Sequence, residues 1–155
     1  RWDEIKALEN AERERRGKPK RSLDAVKAGS ALMQAQSLQQ AASKLGFDWE
    51  GVAGAIEKLE EEIAELKQIL PQAGEKVDAT HKQELEKELG DCVFGLVNVA
   101  RKLNLDAEAA TLTCVHKFRS RFGFIEAELA KQGKTAEESS LEEMDALWEL
   151  AKQHE

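Results

Sequence analysis

Two acidic pairs stand at a spacing that could do chemistry: Glu62 with Glu65, and Glu88 with Asp91. Residues three apart lie on one side of a helix, so each pair presents two carboxylates together. Glu61, next to Glu62, adds a further acid. At 100° per residue, Glu62 lies about 80° from the centre of its helix's apolar stripe, and Glu88 about 100° from its own. Both pairs therefore flank the stripe rather than oppose it. If the two helices form an antiparallel hairpin, the pairs can face each other. Carboxylates that close repel by ~1–4 kcal/mol per pair at 4 Å, which is tolerable once cations fill the site. Oxygen-only ligands are hard and suit Mg2+, with Mn2+ as a possible substitute, rather than zinc or copper. Magnesium held by a few carboxylates usually also meets substrate phosphates, which points to phosphoanhydride chemistry with a metal-activated water. Acid pairs at this spacing also occur on ordinary solvated helices. Here the run Glu60-Glu61-Glu62 has only Lys58 and Lys67 nearby as partners. A di-iron carboxylate bundle wants Glu-x-x-His pairs, and no histidine lies three residues after a glutamate.

Apolar spacing predicts helices nearly throughout, in a sequence rich in Ala, Leu, Glu, Lys and Gln and without tyrosine. A first helix is expected near 2–16, with Trp2, Ile5 and Leu8 on one stripe. A second is expected over 30–45, with Leu32, Ala35, Leu38, Ala42 and Leu45 inward, and a third over 52–70, with stripe Val52, Ile56, Leu59, Ile63, Leu66 and Leu70. Between them Gly46-Phe47-Asp48-Trp49 predicts an ordered turn in which Phe47 and Trp49 pack as anchors. The fourth helix, to about Leu103, starts at a capping box of Thr80 and Gln83 and carries Leu85, Leu89, Cys92, Val93, Leu96, Ala100 and Leu103 inward. A fifth follows Asp106 as cap to about Lys131, with stripe Leu112, Val115, Phe118, Phe122, Ile125 and Leu129. A sixth opens on the box Ser140–Glu143 and carries Leu141, Met144, Trp148 and Ala151. The result is an all-α antiparallel bundle with short connections. Residues 1–28 are expected to form an N-terminal helix and basic linker, and 29–155 the catalytic helical domain.

The 155 residues are 41% hydrophobic, 34% charged and 5% aromatic, with a net charge of -7. That surplus of acid argues against coating nucleic acid, so none is expected as a partner. Two distant cysteines exclude a disulfide scaffold and multi-cysteine zinc sites. Cys92, on a stripe, is expected to be a buried small hydrophobe, and Cys114 has no assigned role. No stretch approaches a membrane span and no signal-peptide pattern is present, which makes the cytoplasm the expected compartment. His81, His116 and His154 share no ligand spacing and are expected at the surface. The basic cluster Arg13, Arg15, Arg16, Lys18, Lys20 and Arg21 straddles Gly17 and Pro19, as a solvated linker would.

The run Glu61-Glu62-x-x-Glu65, 22 residues, then Glu88-x-x-Asp91 resembles the MazG signature. Further segments also resemble the C-terminal MazG domain: Leu32-Met33-Gln34-Ala35-Gln36, Gly46-Phe47-Asp48-Trp49, Asn98-Val99-Ala100-Arg101, and Lys117-Phe118-Arg119-Ser120-Arg121-Phe122, with Trp148 and Lys152 near the end. Trp2-Asp3-Glu4-Ile5-Lys6 is similar to the segment between the halves of long family members. The resemblance implies the dimeric dUTPase type of bundle and a nucleoside triphosphate pyrophosphohydrolase, giving NMP and pyrophosphate in a housecleaning or nucleotide-pool role. It implies Glu62, Glu65, Glu88 and Asp91 as Mg2+ ligands, with Glu61 and Glu62 catalytic, Glu61 as a further ligand or the group orienting water. It implies Asn98, Lys117, Arg121, Trp148 and Lys152 as nucleotide-binding. Lys117 and Arg121 could equally solvate an outer face, and Trp148 could equally be core. A homodimer or higher oligomer is implied. Gln34 and Ser37 stand where some relatives carry basic residues, and Glu84 stands where a lysine can occur. Long members carry an additional N-terminal domain, so the chain is expected to be a fragment or a short member. The competing expectation is a non-catalytic helical dimerisation module.

Overall fold

The computed structural model describes residues 1–17 and 21–155. Among them the chain forms α1 (Trp2–Arg15), a 3-10 turn (Ser22–Ala25), α2 (Ala31–Lys44), α3 (Gly51–Gln68), α4 (Ala79–Lys102), α5 (Ala107–Lys131) and α6 (Leu141–Gln153). No strand occurs among the described residues, so the all-α class expected from composition is what folds. Of the basic cluster, Lys18 and Lys20 lie outside the described residues, as does Pro19. Arg13 is not a loose linker residue: it pairs with Asp24 at 2.9 Å, and Arg16 pairs with Glu12 at 2.6 Å.

Two compact units divide the chain, Arg1–Ala107 and Glu108–Glu155. In the first, α3 packs on α4, and α2 packs on α4 and on the 3-10 turn. The α3–α4 pair is antiparallel. His81, at the start of α4, bonds through Nε2 to the Ile69 carbonyl at the end of α3 at 2.6 Å, while Gly95 sits against Leu59. His81 is thus half-buried and bonded, not the surface residue expected. Ser140 Oγ accepts from the Glu143 N–H, as the sequence signal predicts, and Ser30 Oγ caps α2 by accepting from the Met33 N–H. The fourth helix differs: its cap is Asp78, which accepts from the His81 N–H at 2.8 Å, and not Thr80. Both residues suit the role, and Asp78 is the one whose side chain reaches a free N–H. After α2 the chain reverses through Gly46 at φ +91, a conformation that glycine takes without steric cost.

The apolar stripe of α4 faces inward only in part, with Leu85, Cys92 and Ala100 half-buried. Val97 and Asn98 are buried there, whereas Leu89, Val93, Leu96 and Leu103 are exposed. The reason is the partner surface: α4 turns Gly95 towards α3, where a glycine lets the helices approach closely. In α1 the expected stripe of Trp2, Ile5 and Leu8 is exposed, as is Leu45 after α2. In the second unit Ile125, Leu129 and Ala151 are buried, while Leu112, Val115 and Phe118, earlier on α5, are exposed, as is Leu141 on α6.

The turn before α3 is anchored by charge more than by aromatic packing. Phe47 is 73% exposed, against the expectation that it packs, and only Trp49 is half-buried. Asp48 instead accepts from Arg101 Nη1 at 3.2 Å and from Lys102 Nζ at 2.9 Å, tying the turn to the end of α4. Its carboxyl is held well below the usual range, first by its hydrogen bond with Arg101, against desolvation, then by Lys102. Asp48→Asn should cost about 1–3 kcal/mol, because the Arg101 guanidinium, 8% exposed, loses its anionic partner. A depressed acid favours the fold above its unfolded-state value, so this contribution is whole at neutral pH and drains away as pH falls below about 4. Urea titrations of wild type and Asp48→Asn should therefore differ most near pH 7, with the gap narrowing in acid.

Candidate metal and nucleotide site

The antiparallel pairing of α3 and α4 carries the acids to one place. One carboxylate oxygen from each of Glu62, Glu65 and Glu88 lies within 4.8 Å of the other two. Glu62 is 12% exposed, and its Oε1 meets Lys58 Nζ at 3.2 Å. Its Oε2 is buried with no partner, and so is Oε2 of Glu88. A buried carboxylate oxygen without a donor is costly, and three like charges together add repulsion. The strain registers at Glu65, whose carboxyl is pushed up first by the charge of Glu62, then by desolvation and by Glu88. Lys58 is the cation on hand, its ammonium held charged by the bond to Glu62 and the charge of Glu61. One lysine against three carboxylates leaves a deficit that a hard cation would fill, so the cluster can hold a metal ion.

Asp91 stands just outside this three-oxygen group. It lines a cavity of about 90 Å³ together with Glu62, Lys58, Gly95 and Asn98. Its charge joins those of Glu62 and Glu88 in raising the half-buried Cys92 thiol, after the larger effect of desolvation. Glu61 points outward: its side chain is 65% exposed, 3.8 Å from Lys58 Nζ. Asn98 is 4% exposed and its Oδ1 accepts from Arg101 Nε and Nη2 at 3.1 and 2.7 Å.

In the second unit, Arg121 lies over the Trp148 ring at 5.1 Å, and Phe118 is 5.4 Å from that ring. Arg121 Nε and Nη2 grip both carboxylate oxygens of Glu155, at 2.5 and 2.8 Å. Glu155 is held below its usual range first by that bond, with Lys117 and Lys152 adding smaller pulls. Lys117, Arg121, Trp148 and Lys152 therefore form one cationic–aromatic surface, occupied by a carboxylate. Lys152 also pairs with Glu149 at 3.5 Å.

Sequence reasoning missed Lys58 and Gln39. Lys58 stands four residues before Glu62, the helical spacing at which a cation reaches an acid. Gln39 is 6% exposed. It lies four residues after Ala35 and three before Ala42, inside an apolar stripe, and a polar residue at such a position is the signal.

A family model described as the MazG nucleotide pyrophosphohydrolase domain matches residues 53–122. That stretch takes in both acidic pairs, Asn98, Lys117 and Arg121. The chain is 38% identical over 151 residues to the nucleoside triphosphate pyrophosphohydrolase/pyrophosphatase MazG of Thermotoga maritima, covering 97% of this chain and 54% of that protein. It is 33% identical over 156 residues to the nucleoside triphosphate pyrophosphohydrolase of Escherichia coli K12, covering 100% of this chain and 56% of that protein. The chain thus spans about half the length of these curated relatives. Among the described residues, no helix is long and apolar enough to cross a membrane. With the acidic pairs, the helical fold and this similarity along nearly all of its length, the chain belongs to the MazG family.

Proposed function

We propose that the chain hydrolyses nucleoside triphosphates to nucleoside monophosphate and pyrophosphate in a Mg2+-dependent reaction. The observation that carries this reading is the trio Glu62, Glu65 and Glu88, with two buried carboxylate oxygens that lack any donor. The activity for which the Thermotoga maritima and Escherichia coli relatives are named supports it. Glu62, Glu65, Glu88 and Asp91 would hold Mg2+, or Mn2+ in its place. The bound metal supplies neutralisation of phosphate charge and activation of water. Glu61, exposed beside Glu62, orients the attacking water, and both acids are the catalytic candidates. Lys58 keeps Glu62 in place by its ion pair. Lys117 and Arg121 bind phosphate oxygens, Arg121 as a bidentate donor. The grip of Arg121 on Glu155 supports this, since a carboxylate already occupies the position an anion would take. Trp148 and Lys152 add a flat ring and a second cation to that surface, and Asn98 donates to the nucleotide.

We also propose a homodimer or higher homo-oligomer. Leu89, Val93 and Leu96 on α4 and Ile56 and Ile63 on α3 are exposed apolar residues that a second copy of the chain would cover. Cytoplasmic nucleotide pools would supply the substrate. The test is ³¹P NMR of products from a panel of NTPs and dNTPs with Mg2+. Monophosphate and pyrophosphate in equal amounts are expected. Orthophosphate with a diphosphate product would reject this chemistry.

A further inference from the structure

The cavity at the acids continues past Asn98. It and a neighbouring cavity of about 220 Å³ share four wall residues: Gln39, Trp49, Phe94 and Asn98. Phe47 adds an outer aromatic wall, edge-on to Trp49 at 6.3 Å between ring centroids. Two buried amides supply the polarity. Gln39 Nε2 donates to the Phe94 carbonyl at 2.8 Å, which fixes the orientation of the amide. Its Oε1 is left buried with no donor. Asn98 commits Oδ1 to Arg101, which leaves Nδ2 as the group it can offer. Flat aromatic walls with one unmet acceptor and one amide donor match the edge of a heterocyclic base, where donor and acceptor stand side by side. The link to the acids says which base: that of a nucleotide whose phosphates lie at Glu62 and Asp91.

We infer that Gln39 is a specificity-determining residue, its Oε1 accepting from an N–H donor on the edge of the substrate base, in the cavity walled by Phe47, Trp49 and Phe94. This rests on the proposed triphosphate chemistry and adds to it which part of the chain recognises the base. A base that brings the donor satisfies an acceptor buried in any case. A base lacking it leaves that oxygen desolvated and unpaired, so the site discriminates against it.

The experiment compares kcat/KM for ATP with purine riboside triphosphate, and for CTP with its 4-deamino analogue, in wild type and Gln39→Met. Inorganic triphosphate serves as the base-free reference. Wild type should favour the amine-bearing member of at least one pair by about tenfold, the worth of one buried hydrogen bond. Gln39→Met should bring that ratio to within about twofold, and its loss on the nucleotide should exceed its loss on inorganic triphosphate by about tenfold. An unchanged amine preference in Gln39→Met overturns the inference. So does an equal loss on nucleotide and inorganic triphosphate, which would mark a purely structural role. If wild type cleaves no nucleotide, the triphosphate chemistry fails by itself. The base cavity is then judged from metal-free titrations with adenosine and cytidine, read at the Gln39 and Asn98 side-chain amide resonances. Saturable shifts support it, and static resonances reject it.

Discussion

Glu88→Gln should raise the melting temperature of the metal-free protein and remove its Mg2+-dependent pyrophosphate release. The two effects share one cause. Glu88 brings a buried, partnerless oxygen into a group already holding Glu62 and Glu65. A glutamine of the same shape deletes one charge and can donate to the neighbouring orphan oxygen. Relief of like-charge repulsion should lift the metal-free melting temperature by about 2–4 °C. The Glu65 carboxyl, which Glu88 helps to raise, should move back towards its ordinary value. Activity should fall about 10³-fold, because losing a ligand forfeits several kcal/mol of transition-state charge stabilisation. Calorimetry with and without Mg2+, beside a pyrophosphate assay, checks both halves. A metal-free protein that loses stability would show that the acids serve the fold instead.

Gly95→Leu should separate α3 from α4 and take the metal response with it. A Cβ built at Gly95 would lie 3.5 Å from Leu59 Cδ1 and 3.6 Å from Leu59 Cα. That is ordinary contact, so Gly95→Ala fits, and alanine's helix propensity contributes up to about 1 kcal/mol of stability. A leucine must push its branch into the facing helix, costing about 1–3 kcal/mol or more. Asp91 lies one turn before Gly95 and Glu88 two turns before, so the shift reaches both acidic positions. Urea melts should rank alanine at or above wild type and leucine well below. Gly95→Leu should also lose its stabilisation by Mg2+. Full stability and a normal metal response in the leucine variant would mean that close approach at Gly95 does not position the acids.

The acidic trio was legible because i, i+3 spacing is a property of the helix alone, and an antiparallel hairpin is the simplest way to join two long helices. The phase of α4 was legible only in part. Its stripe of Leu89, Val93 and Leu96 is the most apolar face, yet the interior falls on Val97, Gly95 and Asn98. A helix that walls a polar site turns polar and small residues inward, so a count of apolar residues misplaces part of the inward face. The ties made by Asp48 and Gln39 were equally hidden. Asp48 finds Arg101 53 residues away, and Gln39 finds the Phe94 carbonyl 55 residues away. Local periodicity carries no trace of such partners. Ser140 was readable as a cap because its hydroxyl accepts from an N–H only three residues on.

Binding of Mn2+, followed by loss of the free-ion signal in electron paramagnetic resonance, tests most directly whether the α3–α4 acids form a divalent-cation site. Wild type should bind saturably without nucleotide, and Glu88→Gln should leave the ion free at the same concentrations. Equal uptake by the two proteins would contradict a site built on Glu62, Glu65 and Glu88.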